Sequence, residues 1–168
     1  MIGNLNEGNG MEDQLTHSIQ DLCIAQHWTL SLAESCTGGF LASRLILLPH
    51  CSQYFLGSIV AYSNALKISL LGVEEQILAT YGAVSGPVVG QMAQGVLKLT
   101  DSTYSLAISG IAGPGGGSLE KPVGTMWAAM ANQDDDCVIW SFHLSGTRQE
   151  IIQKSTEEIL SRFWLWIK

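Results

Sequence analysis

The sequence predicts an α/β fold: a single domain built as a three-layer α/β/α sandwich around a mixed sheet. Short apolar runs alternate with helical segments through the first two thirds of the chain, which is typical of parallel strands. Two further apolar runs flank NQDDD, whose Asn and Asp side chains favour a hairpin. We therefore expect a sheet that begins parallel, is closed by a hairpin and carries helices on both faces.

The elements follow in order along the chain. Residues 1–11 are rich in Gly and Asn without periodicity and are expected to form a mobile tail, and residues 12–168 the domain. Strands are predicted at 28–34, 55–63, 103–109, 123–131 and 137–143. Helices are predicted at 12–26, 38–48, 64–70, 74–80, 85–99 and from 147 onward. Thr37 is the expected N-cap of the second helix, and Thr147 and Glu150 have capping-box spacing at the last.

Charge and composition narrow the function classes. The chain has 168 residues, a net charge of −7 and only eight Lys and Arg, which are scattered. Nucleic-acid binding through a basic face is therefore not expected, because phosphate contacts need clustered cations. Hydrophobic residues make up 46% and charged residues 14%, and the aromatic end FWLWIK is Trp-rich. Together these favour a homo-oligomer whose contacts include Trp164 or Trp166.

The same composition gives no sign of a metal, a cofactor or a membrane. The four Cys show no CxxC spacing and the four His build no HExxH, so neither a metal site nor a cofactor is predicted. No apolar run approaches the ~18–20 residues needed to span a membrane. The first residues lack the basic and apolar regions of a signal peptide, so we expect a cytoplasmic protein.

Three chemically distinctive segments follow predicted strands: AESCTGG, AYSNALK and SGIAGPGGG. In open α/β sheets ligands bind at the carboxyl ends of the strands, so these segments are expected to meet there. Ser35, in the first of them, is either a nucleophile presented before a helix or a small residue in a tight turn. Unpaired amides at residues 37–39 could hold an oxyanion or a phosphate. Cys36 is the rival nucleophile, or else a buried small apolar residue.

Lys67 is the most informative cation, because Ile68, Leu70 and Leu71 leave little polar surface around it. Lysines are commonly solvated, but burial would lower the pKa of this amine and make it available as a base. Tyr62 lies five residues earlier and could relay a proton. The spacing is not the SxxK of β-lactamases.

The Gly-rich loop GIAGPGGG at 110–117 is either a flexible connection or a backbone cradle for a phosphate or ribose. Ser109 ends the strand before it and Lys121 follows it. GxGxxG is absent, so a Rossmann fingerprint is not supported. Arg148 lies in the first turn of the last helix, where acids are usual, which indicates anion binding or a surface ion pair.

Taken together, these motifs resemble a known family. AESCTGG, YSN with the following lysine, GAVS, SGIAGPGGG and EKPVGT are similar, in that order, to the C-terminal domain of the competence/damage-inducible protein CinA. The resemblance covers residues 12–167 and is to the free-standing form of the module, a nicotinamide-nucleotide amidohydrolase.

The resemblance implies that nicotinamide mononucleotide is hydrolysed at its carboxamide to nicotinic acid mononucleotide and ammonia. It implies a Ser/Lys hydrolase without metal or cofactor, in which Ser35 is the nucleophile, Lys67 the base and Tyr62 an assisting group. The substrate-binding positions expected from the motifs are Thr37, Gly38, Gly39, Asn64, Ser109, Gly110, Gly113, Gly115 and Arg148. The alternative function is a non-catalytic module that binds a nucleotide or a partner protein in the same pocket.

Overall fold

The computed structural model describes residues 9–168, which contain one five-stranded mixed sheet. Its strands are β1 (Leu30–Glu34), β2 (Phe55–Val60), β3 (Tyr104–Gly110), β4 (Thr125–Asn132) and β5 (Cys137–His143). They lie in the order β2-β1-β3-β4-β5. β1 pairs parallel with β2 and β3, and β4 pairs antiparallel with β3 and β5. The predicted mixed sheet and its closing hairpin are confirmed.

Helices connect the strands at the predicted places. They are α1 (Asn9–Gln26), α2 (Phe40–Ile46), α3 (Asn64–Leu71), α4 (Glu75–Tyr81), α5 (Gly86–Thr100) and α6 (Arg148–Ile167). α2 is shorter than expected at both ends, and the capping box of Thr147 and Glu150 is present. Residues 1–8 of the expected mobile tail lie outside the described residues, and residues 9–11 already belong to α1.

The sheet is covered on both faces, as the three-layer prediction requires. One core joins α1, α2 and α6 to the sheet and includes Ile19, Leu41 and Phe163. The other joins α3, α4 and α5 to the opposite face and includes Leu71 and Met92. β1 and β3 are interior strands buried on both sides, which is why their sequences LSLAE and YSLAISG do not alternate between apolar and exposed polar residues.

The aromatic end of the chain packs partly against the core. Trp164 and Trp166 are partly buried and pack against the α1–α6 side of the sheet. The Trp166 and Tyr104 rings meet edge to face with centroids 5.5 Å apart. The last turns of α6 therefore pack against β3 and cover part of both tryptophans, and the predicted contact between copies through Trp164 or Trp166 stays a prediction. Within the described residues, no helix combines the length and apolarity needed to cross a membrane.

Candidate active site

Ser35 follows β1 directly and lies at the carboxyl end of the central strands. Its N–H donates to the carbonyl of Ile108 in β3 at 3.1 Å, which extends the parallel pairing by one residue. The residue is 8% exposed, so its hydroxyl opens onto solvent only through a small cleft. The strand end therefore delivers the hydroxyl to the edge where ligands bind in such sheets.

Lys67 reaches Ser35 from α3. Its side chain is 1% exposed, and Nζ lies 2.9 Å from the Ser35 Oγ. Two main-chain oxygens complete its surroundings, Ala61 O at 2.8 Å and Tyr62 O at 3.4 Å. The expectation that the amine and the hydroxyl lie within hydrogen-bond distance is confirmed.

The surroundings of Lys67 favour a neutral amine. Burial lowers its pKa from the ordinary value of 10.5, and all three of its hydrogen-bond partners are uncharged. A neutral amine has two N–H groups and one lone pair. The two carbonyls accept only, so they take the N–H groups and leave the lone pair facing the Ser35 hydroxyl. The contact therefore has the geometry of a base poised to accept the serine proton.

Glu34 is the residue that sequence reasoning missed. Its carboxylate is fully buried beside the candidate nucleophile. The carboxylate accepts hydrogen bonds from the hydroxyls of Thr37 (2.7 Å) and Ser58 (2.9 Å) and from three amides at the start of α2. An acid placed between an apolar strand and a Gly-Gly turn is the signal that could have identified it, since helix N-terminal amides are natural partners of a buried carboxylate.

This network corrects the expected cap of α2. Thr37 is not the N-cap: the helix begins at Phe40 after Gly39, and the Thr37 hydroxyl donates to Glu34 Oε2. The amide of Gly39 donates to the same carboxylate at 3.0 Å, and that of Gly38 donates to Ser35 O at 3.2 Å. These two amides are therefore already engaged within the loop. Among the described residues, the loop's main-chain hydrogen bonds do not use the amides of Cys36 and Thr37.

Cys36 lies beside the hydroxyl but is poorly suited to act as a nucleophile. The side chain is buried, and this burial raises the pKa of its thiol to about 12. Thiolate is the reactive form, so a thiol with this pKa is almost entirely unreactive at neutral pH. The reading of Cys36 as a small buried residue is the one the surroundings favour.

Arg148 and Tyr62 meet at the mouth of the site. The Arg148 Nη1 donates to Gly113 O at 2.9 Å, and Nη2 lies 3.3 Å from the Tyr62 hydroxyl. Tyr62 is 61% exposed and approaches Lys67 through its carbonyl. Arg148 therefore connects the start of α6 to the Gly-rich loop and to the segment after β2.

Lys121, which follows the Gly-rich loop in sequence, ties the carboxyl-terminal end of the loop to neighbouring main chain. The Lys121 Nζ donates to the carbonyl oxygen of Tyr81, the last residue of α4, at 2.7 Å and to that of Val84, between α4 and α5, at 2.8 Å. Arg148 thus binds a main-chain oxygen within the loop, and Lys121, which follows the loop, binds main-chain oxygens at and after the end of α4. The loop is held in place by these contacts rather than hanging free.

These residues surround a cleft of about 200 Å³. Its lining consists of Ser35, Cys36, Tyr62, Lys67, Ala83, Val84, Ser109, Gly110, Ala112 and Arg148. Of the expected substrate-binding positions, Ser109, Gly110 and Arg148 line the cleft, and Gly113 borders it through Arg148. Gly38, Gly39, Asn64 and Gly115 lie outside this lining, and Thr37 lines an adjoining apolar groove that also contains Arg148.

Comparisons with known proteins all find similarity to one family. The model of the CinA C-terminal domain matches residues 12–164. A Shigella flexneri protein named nicotinamide-nucleotide amidohydrolase PncC is 42% identical over 90% of this chain and 92% of its own length. A CinA-like protein of Pseudothermotoga lettingae is 50% identical over 71% of this chain, but over only 29% of its own length. The chain thus spans about a third of the CinA-like relatives it matches.

A solved structure agrees with these relatives. The competence/damage inducible protein CihA from Agrobacterium tumefaciens superimposes with a TM-score of 0.89 at 33% identity, covering 96% of this chain and 97% of that one. Because the family model, the Shigella flexneri relative and this structure each cover nearly the whole described range, the chain belongs to the CinA C-terminal domain family.

Proposed function

We propose that the chain is an amidohydrolase that converts the carboxamide of nicotinamide mononucleotide to the carboxylate and releases ammonia. The observation that carries this proposal is the 2.9 Å contact between a buried, deprotonation-prone Lys67 amine and the Ser35 hydroxyl in a cleft. We infer the substrate from the name of the Shigella flexneri relative, nicotinamide-nucleotide amidohydrolase PncC. The reaction would serve the salvage of pyridine nucleotides.

The first half of the reaction uses Ser35 and Lys67. Lys67 accepts the Ser35 proton, and the serine oxygen attacks the carboxamide carbon to form a tetrahedral intermediate. Lys67, now an ammonium, donates that proton to the nitrogen, and ammonia leaves as the C–N bond breaks. The Ala61 and Tyr62 carbonyls hold the amine in place through both transfers.

The oxyanion of the intermediate is assigned to the amides of Cys36 and Thr37. The amides of Gly38 and Gly39 are occupied by Ser35 O and Glu34, so they are not available to it. Main-chain donors fixed before the reaction stabilise developing charge without reorganising, which is the usual source of a large rate enhancement. Glu34 would contribute by holding the turn that presents these amides.

The second half releases the acid. Water attacks the acyl-serine ester, Lys67 takes its proton and returns it to the Ser35 oxygen as the ester bond breaks. The product is the carboxylate of the pyridine mononucleotide. Arg148, the cation at the cleft mouth, and the main chain around Ser109 and Gly110 are our candidates for contacts to the nucleotide part.

Ammonia release from nicotinamide mononucleotide tests the proposal directly. We expect Ser35→Ala and Lys67→Ala to lose about 10³-fold or more in kcat, because nucleophile and base act as a unit. Cys36→Ala is the matched control and should keep activity within a few-fold. Undiminished turnover in the Ser35 and Lys67 variants would exclude this mechanism. Tight nucleotide binding without turnover by the unmodified protein would favour the non-catalytic alternative.

A further inference from the structure

Lys121 is a cation that the proposed reaction does not use, although its ammonium group is bound on two sides. Its Nζ donates to Tyr81 O at 2.7 Å and to Val84 O at 2.8 Å, and the residue is partly buried. Within the described residues Lys121 forms no ion pair, in a chain that has 15 acids. A lysine that binds main-chain oxygens in this way fixes the position of a backbone segment.

The first segment that Lys121 fixes is the connection between α4 and α5, residues 82–85. Tyr81 is the last residue of α4, and the final carbonyls of a helix have no partner within it. These carbonyls carry partial negative charge, so a cation is stabilising there. Within the connection, the Ser85 hydroxyl donates to Gly82 O at 2.8 Å. Lys121 therefore adds the hydrogen bonds that come from outside the connection.

The second segment is the Gly-rich loop itself. Residues 114–120 are all exposed, and Lys121 is the first residue after them that is partly buried. The Ser118 N–H donates to Lys121 O at 2.9 Å, and the Lys121 N–H donates to the Ser118 Oγ at 3.0 Å, which closes a turn. The start and the end of the loop are joined by the Gly124 N–H, which donates to Ile111 O at 2.7 Å. Lys121 therefore connects a loop with little packing of its own to the end of α4.

Both segments that Lys121 joins line the cleft. Ala83 and Val84 belong to the connection, and Gly110 and Ala112 lie at the end of β3 and the start of the loop. Three of these four residues present small apolar side chains, which suit the face of a flat ring. Lys121 is not part of the lining, so it acts on the cleft through the residues that it holds.

We propose that Lys121 is a positioning residue that sets the width of the cleft and thereby the affinity for the pyridine ring of the substrate, which rests on the proposed amidohydrolase function. Without its ammonium group, the connection and the loop are free to move apart, and the ring loses contact with Ala83 and Val84. Ser35 and Lys67 are held by β1 and α3, so their 2.9 Å contact remains. A loss of binding that is equal in the ground state and the transition state raises KM and leaves kcat unchanged.

Steady-state ammonia release from nicotinamide mononucleotide measures this division between KM and kcat. We expect Lys121→Met, which removes the donors, to raise KM about 10-fold while kcat stays within about 3-fold. Lys121→Arg keeps a cationic donor and should recover most of the lost affinity. Lys154→Met is the matched control, because the Lys154 Nζ also donates to a main-chain oxygen, that of Ser145 at 3.2 Å, outside the cleft lining. An unchanged KM in Lys121→Met, or a fall in kcat without a rise in KM, would overturn the proposal.

Hydrogen exchange of the free protein, followed by NMR, provides a second readout that needs no substrate. The amides of Gly82 and Ser118 each donate a main-chain hydrogen bond, one in each segment that Lys121 joins. Both should exchange about 10-fold faster in Lys121→Met than in the unmodified protein. The amide of Gly72, which ends α3 with the same kind of bond, should exchange at an unchanged rate. Equal rates at Gly82 and Ser118 in the two proteins would refute the role of Lys121 whether or not ammonia is released, which separates this failure from that of the proposed function.

Discussion

Lys67 combines three properties that are rarely found together in one lysine: near-complete burial, uncharged partners and contact with a serine hydroxyl. Burial disfavours the ammonium form, and no charged partner among its hydrogen-bond contacts restores it. The carbonyls of Ala61 and Tyr62 then fix the direction of the lone pair. A residue that would ordinarily be a cation is prepared to act as a base.

The pH dependence of activity follows from this lowered pKa. Lys67 is inactive as an ammonium, so kcat/KM should fall as pH drops through its lowered pKa and reach a plateau above it. Steady-state rates across neutral and alkaline pH measure this limb. Lys67→Arg, which stays charged, should be inactive throughout. A rate that rises with a midpoint at the ordinary 10.5 would show that burial does not lower the pKa of the catalytic amine.

Glu34→Gln tests the buried carboxylate. All five partners of Glu34 are donors, so an amide NH₂ at this position must face at least one N–H or O–H. We expect a loss of about 1–3 kcal/mol in the free energy of unfolding, measured in urea, together with a lower kcat.

Thr37 provides the matched pair for that experiment. Thr37→Ser keeps the hydroxyl that donates to Glu34 and should behave like the unmodified protein. Thr37→Val removes this hydroxyl and should lower the free energy of unfolding by about 1 kcal/mol. If Glu34→Gln left both stability and kcat unchanged, the carboxylate would have no part in positioning Ser35.

At the scale of elements, periodicity and turn residues predicted each strand and α-helix of the described chain, but neither the short 3-10 helix Cys51–Gln53 nor how α2 begins. Thr147 caps α6 as its spacing with Glu150 predicts, because both partners lie within one turn. Thr37 is an equally suitable N-cap for α2 by residue type, yet its hydroxyl donates to Glu34 instead. The difference is that a buried carboxylate at the end of β1 competes for the same amides, and burial is not visible in a local pattern.

Gly95 sets the distance between α3 and α5, and therefore the position of Lys67. A Cβ added at Gly95 would collide with the carbonyl oxygen of Leu71 at the end of α3. Gly95→Ala should push α3 away, lower the unfolding free energy by about 1–3 kcal/mol and reduce kcat.

Thermal unfolding and steady-state kinetics measure these effects. Gly115→Ala is the control for stability, since a Cβ there meets nothing within 4 Å. A Gly95→Ala variant with unchanged melting temperature and kcat would mean that the α3–α5 contact does not position the amine.

For the whole molecule, the buried lysine links folding to pH. The unfolded chain binds a proton at Lys67 with the ordinary pKa of 10.5, while the folded chain binds it less readily. The unfolded state therefore holds more protons between the two pKa values, so stability rises with pH in that window. Lys67→Met removes this contribution. The unmodified protein should gain stability relative to Lys67→Met as pH rises toward 10.5, and a constant difference in urea titrations would contradict the lowered pKa.

The sequence predicted which residues form the candidate site, but not the hydrogen bonds between them. Ser35 follows β1, Lys67 lies in α3 after β2, and Ser109 is near the end of β3. Parallel strands bring such ends to one edge of the sheet. The partners of Arg148 could not be foreseen, because Gly113 and Tyr62 are distant in sequence and the contacts depend on how α6 docks. Long-range packing decides these contacts, and no local pattern records it.

The residues around the cleft come from positions 35 to 148, spread over most of the chain. No single segment can bind a ligand alone, so anything that occupies the cleft must stabilise the complete fold, by RT ln(1 + [L]/Kd) for one site. A melting-point screen against a panel of small molecules would consequently report binding even when no reaction takes place. Candidate substrates could be ranked in this way before any product is sought.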